Sequence, residues 1–126
     1  GNVDALLERV EKAMQNLSDE FIAIYHEDVD RIGKHMSTAL EAPEEMGPAV
    51  DAIRVSLHDL RGQAGTFGYD LVTRISDSAC KFIDLSAGFG RTELMVLKMR
   101  CARSNRRTCA AMAARPGRNS WKACAP

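Results

Sequence analysis

Residues 48–68 read PAVDAIRVSLHDLRGQAGTFG. Within this stretch Ile53, Leu57, Leu60 and Ala64 recur at steps of four, three and four. At 100° per residue they fall within about 60° of one another on a helix. That spacing predicts a helix from about Pro48 to Gly65 with one buried seam. His58 lies about 130° from the seam by the same geometry. It is therefore expected to face solvent, with Arg54, Arg61, Gly62 and Gly65 on its own face. Glycines inside a helix cost about 1 kcal/mol each relative to alanine. A chain that carries two of them beside an exposed histidine gives up helix stability for open space.

Thr66-Phe67-Gly68 is a short connection, so this helix and the next form an antiparallel hairpin. The next helix is expected from about Tyr69 to Leu85, burying Leu71, Ile75, Ala79 and Phe82. Upstream, Ile22, Tyr25, Val29, Ile32, Met36 and Leu40 predict a helix that ends near Ala42, because Pro43 restricts the residue before it. Asn16 or Ser18 can cap that helix, and Asp19 and Glu20 suit its positive end. A separate first helix is expected from about Asn2 to Gln15, with Val3, Leu6, Leu7 and Val10 on one stripe. Gly88 and Gly90 break the chain before a last helix that starts near Thr92 with Leu94, Val96 and Leu97. Short connections between amphipathic helices predict an all-α fold, an antiparallel up-and-down four-helix bundle with an additional N-terminal helix.

The 126 residues suit one domain, with 45% hydrophobic and 27% charged residues. No stretch approaches the roughly 18 uninterrupted apolar residues of a membrane span, and the chain is expected to be cytoplasmic. Its net charge of zero hides a division. Residues 1–100 hold 17 acidic against 11 basic residues, a net of −6, and residues 101–126 hold six basic residues and no acid. That tail also lacks Leu, Ile, Val and Phe. The composition divides the chain into a helical domain at 2–100 and an atypical basic, Ala/Arg/Cys-rich tail at 101–126. Codon degeneracy allows the same nucleotides, shifted one frame from about Arg100, to read LRAIKPADLRGDGGPTGAELLEGLRP. Leucine and isoleucine then return at helical spacing, and the tail is expected to derive from a frameshift. As it stands, Cys101–Ala114 is alanine-rich enough to be helical.

The chemistry that fits an exposed histidine beside an arginine and a cleared surface is phosphoryl transfer through the imidazole. A neutral ring nitrogen is a nucleophile near physiological pH. An arginine one turn away can neutralise phosphate oxygens, and a glycine removes a side chain where a partner must approach closely.

The stretch from His58 to Gly68 resembles the signature of histidine phosphotransfer (HPt) domains. That signature is a histidine followed by an aliphatic residue (Leu60), a basic one (Arg61), a glycine (Gly62), a small residue (Ala64) and a further glycine (Gly68). The Ala-Gly-Thr-Phe-Gly portion is similar to the phosphotransfer domain of chemotaxis histidine kinases. The resemblance implies that His58 is the phosphoacceptor, that Arg61 stabilises the phosphate, and that Gly62 and Gly65 give a partner access. Arg54, Val55 and Tyr69 are expected at the rim of the docking surface, with Val29 or Ile32 beside them. The implied partners are response-regulator receiver domains and a histidine kinase, with neither nucleic acid nor membrane involved. No cofactor is implied in the chain itself, since the partner receiver domain supplies the aspartate and the magnesium. One position departs from the pattern. Many members carry Glu or Gln 22 residues after the histidine, to hydrogen-bond its other nitrogen, and here that residue is Cys80.

These features point to a stand-alone phosphorelay carrier rather than to a catalyst with an active site of its own. The alternative is a helical docking module that binds a receiver or kinase without transferring phosphate. His26 and His35 stand nine residues apart, which is not a metal-ligand spacing. Cys80, Cys101, Cys109 and Cys124 form no C-x-x-C pair, and a cytosolic chain would keep them reduced. The basic tail has no aromatic residue besides Trp121, which speaks against a single-strand-binding surface.

Overall fold

The computed structural model describes residues 1–113, with side chains described through Ala111. The described residues are helical almost throughout and contain no strand. The described residues form four helices, α1 (Asn2–Glu41), α2 (Met46–Phe67), α3 (Asp70–Leu85) and α4 (Arg91–Ala113), with a short 3-10 turn at Pro43–Glu45 between the first two. None is long and apolar enough to cross a membrane.

The expected break at Gln15–Ser18 does not occur, and α1 is one helix of 40 residues. Neither Gly nor Pro stands between Asn2 and Ile32. Asn16 and Ser18 are only mildly unfavourable inside a helix, so a residue able to cap does not by itself end one. The separate N-terminal helix is thus the first half of α1. Its apolar stripe is also not core: Val3, Leu6, Leu7 and Val10 are all exposed, and burial begins at Phe21. From there Ile22, Tyr25, Ile32, Met36 and Ala39 face inward. Asp28 shares that face, pairing with Arg31 at 2.7 Å, and burial pushes its carboxyl above the usual range.

Pro43 begins the 3-10 turn, and Gly47-Pro48 lies in the first turn of α2, where a proline's missing N–H goes unused. At the far end Gly68 closes α2 in the left-handed region at φ 79. The N–H of Tyr69 then donates to the Ala64 carbonyl at 2.8 Å, a glycine-terminated cap of the usual kind. Only Gly68 and Tyr69 separate α2 from α3, so the chain reverses at once. Two ion pairs, Arg54 with Asp84 and Arg61 with Asp77, fix the register. As the α2 number rises by seven the α3 number falls by seven, so these helices are antiparallel.

The α2 seam is buried as its spacing requires, with Ile53 and Ala64 fully enclosed and Leu57 and Leu60 nearly so. On α3 the buried face is Val72, Ser76, Ala79, Cys80 and Ile83. The expected Leu71, Ile75 and Phe82 are only half-buried, one residue out of phase. They are turned toward α4, where Arg100 lies over the Phe82 ring at 5.2 Å and Leu71 and Ile75 line a gap beside Cys101 and Ser104.

Helix α4 runs through the compositional boundary at Cys101 without a break, and residues 114–126 lie outside the described part. Leu94 and Leu97 are fully buried among the other helices. Over the next three turns the inward positions are Cys101, Ser104, Asn105 and Thr108. With Tyr25, Ile32, Leu60 and Val72 they line a cavity of about 200 Å³. The Tyr25 hydroxyl donates to Asn105 Oδ1 there, and burial raises the phenol to about 12. Cys80 and Cys101 are free thiols. The expectation for Cys124 falls outside the described residues.

Truncating the seam tests its place in the core. Ile53→Ala is expected to cost about 2–5 kcal/mol, and Val55→Ala, on the exposed side of the same helix, less than about 0.5 kcal/mol. Urea unfolding followed by circular dichroism checks both.

Candidate functional site

Because the seam of α2 faces α1 and α3, the helix turns its other side outward between residues 54 and 66. His58, Asp59, Gly62, Gly65 and Thr66 are all exposed. Together His58, Asp59, Gly62, Gln63, Thr66 and Phe67 border a shallow depression on this surface. A side chain at Gly62 would meet nothing within 4 Å, and one at Gly65 would meet only the Thr73 hydroxyl at 3.9 Å. Neither glycine is required by close packing, so their effect is on what can approach from outside. The Thr66 hydroxyl donates back to the Gly62 carbonyl at 3.1 Å, which keeps that hydroxyl close to the helix.

His58 makes no hydrogen bond or ion pair among the described residues. Both ring nitrogens are open to whatever docks. Arg61, one turn on, is half-buried and held across the hairpin by Asp77, with Nη1 2.8 Å from Oδ1. Lys81 holds the other oxygen of the same carboxylate at 2.9 Å. Hydrogen bonds from Lys81 and Arg61 keep the Asp77 carboxyl below the usual range. Asp84 is lowered in the same way by Arg54, which grips both of its oxygens at 2.6 and 3.1 Å. The arginines flanking His58 are therefore tethered to α3. Arg61 can leave Asp77 without stranding it, because Lys81 stays.

Cys80 is buried on the facing side of α3, where its thiol lies 3.9 Å from the Arg54 carbonyl. Burial raises its pKa, with Arg54 and Arg61 acting in the opposite direction. Its hydrogen bond runs to the backbone one turn before His58, not to the imidazole. Val55 is 57% exposed and available at the rim. Tyr69, expected beside it, is buried instead. Its ring stacks on Phe21 at 4.4 Å, because the turn at Gly68 points it into the core. Ile32 is buried with Met36, Ile53 and Leu57, and Val29 is half-buried against the cluster of Phe21, Tyr25 and Leu60, so neither is a free docking residue.

Sequence reasoning passed over Asp77 and Asp84. Their signal was present: two arginines seven apart on one helix and two aspartates seven apart on the next, in antiparallel order. No family model matches the chain, and no curated protein or solved structure matches it.

The lowered aspartates give a signed pH dependence. Their contribution to stability is present above about pH 4, the ordinary carboxylate value, and is lost as pH falls through the lower folded values. Replacing both, Asp77→Asn with Asp84→Asn, is expected to flatten the acid limb of a stability-against-pH curve. Urea midpoints measured from neutral pH downward check this.

Proposed function

We propose that this chain is a histidine phosphotransfer protein, carrying a phosphoryl group on His58 between receiver-domain aspartates in a phosphorelay. The observation that carries this reading is His58 itself: exposed, unpartnered among the described residues, and set on a helix face cleared at Gly62 and Gly65. A nitrogen of the ring attacks the phosphorus of an aspartyl phosphate. The P–N bond forms as the P–O bond breaks, and the aspartate leaves as a carboxylate with the bonding pair. The reverse step passes the group on. Arg61 swings from Asp77 to the phosphoryl oxygens, and Lys81 keeps Asp77 paired meanwhile. The partner receiver brings the aspartate and the magnesium.

In this reading α1 from Phe21 onward, α2, α3 and α4 form an up-and-down bundle. The antiparallel pairs on α2 and α3 support that, as does the link from Arg91 at the start of α4 to the Leu40 carbonyl at the end of α1. Val55, Gly62 and Gly65 form the docking face, and the protein acts in the cytosol on protein partners, not on nucleic acid.

Cys80 favours a second reading. With no carboxylate or amide reaching His58 from α3, the imidazole has no fixed orientation, as a docking module without transfer would permit. One experiment separates the two. Receiver domains phosphorylated in advance are mixed with wild type, His58→Gln and Arg61→Ala. A carrier takes acid-labile label on wild type and none on His58→Gln. Arg61→Ala is expected to slow transfer about 10- to 100-fold, the worth of one charge-assisted hydrogen bond. A docking module binds the receiver and takes no label in any of the three.

A further inference from the structure

The first half of α1 projects past the rest of the fold with its apolar stripe bare. Val3, Leu6, Leu7, Val10, Met14 and Leu17 are 47–69% exposed. From Val3 the stripe steps through Leu7, Val10, Met14, Leu17 and Phe21 at intervals of four, three, four, three and four. Alternating steps of four and three are the heptad spacing of a seam made for another helix lying alongside. A helical segment of this length is only marginally stable in water while its apolar face is uncovered.

We infer that this stripe is a homodimer interface, covered by the same segment of a second copy running antiparallel. The orientation follows from the fold. From Phe21 onward the same face of α1 carries its own α2 and α3, so a parallel partner would drive its own body into that space. An antiparallel partner sets the two bodies at opposite ends. Leu7 then lies against the partner's Leu17, and Val10 against the partner's Met14. The inference does not depend on phosphotransfer. Light scattering on the full chain at micromolar concentration is expected to give twice the 13.8 kDa chain mass. Leu7→Glu with Val10→Glu is expected to give the monomer mass with α2–α4 still folded. A monomeric wild type, any other stoichiometry, or a dimer that persists in the double variant overturns it.

Independently of α1, the interior changes character at Cys101. Leu94 and Leu97 are fully buried, but Cys101, Ser104, Asn105 and Thr108 face the cavity at the next inward positions. In the shifted reading that opens LRAIK, leucine and isoleucine fall where Cys101 and Ser104 stand. We infer that the chain from Cys101 is read out of frame with the segment that encodes the rest of the core, and that the cavity is the space those two side chains would fill. That reading requires the codons of Arg103 to Arg107 to run CGA-TCA-AAC-CGG-CGG. Sequencing the gene tests this, and any other codon in the run overturns it. In the full chain, Cys101→Leu with Ser104→Ile is expected to raise the thermal midpoint by about 5 °C. An unchanged or lower midpoint overturns the cavity assignment.

Discussion

The rotation of α2 about its own axis is the constraint on which the rest depends. Ile53, Leu57, Leu60 and Ala64 are enclosed by helices on two sides, and a turn of one residue would carry Leu57 toward solvent and His58 toward the core. Packing thus selects one face for burial, and the exposed histidine is a by-product of that choice. The ion pairs from Arg54 and Arg61 to α3 then stop the helices sliding past one another. Standing partly open to solvent, they add little stability each. Their value lies in register, since a slip of one turn would leave both arginines without their aspartates.

Local spacing made the α2 seam and the α2–α3 hairpin legible, because both depend on residues near in sequence. The errors came where burial depends on what lies opposite. Val3 and Leu6 carry the same apolar signal as Ile22 and Ile32, and nothing in the chain's own periodicity says that only the second pair has a neighbour. Ile75 and Ser76 present the same difficulty on α3. Hydropathy favours Ile75, yet the closer approach of α2 buries Ser76. Tyr69 looked like a rim residue because it follows a turn, but the left-handed Gly68 directs it onto Phe21.

At the site, residue types gave His58, Gly62 and Gly65 their exposed face, since helix geometry alone sets that. What spacing does not convey is where a long side chain spends its time. Arg61 reaches Asp77, so its guanidinium begins some distance from the work proposed for it. The same tether keeps the arginine from collapsing over the open imidazole, and the shared carboxylate with Lys81 makes the release cheap.

The unbroken length of α1 has a hydrodynamic consequence. Forty helical residues extend about 60 Å, roughly twice the diameter of a small domain. A molecule built around such a rod tumbles anisotropically and drags more solvent than a sphere of its mass. Its elution volume on a sizing column therefore overstates its mass even for a single chain, and backbone amides along the rod relax at rates set by its slow end-over-end motion.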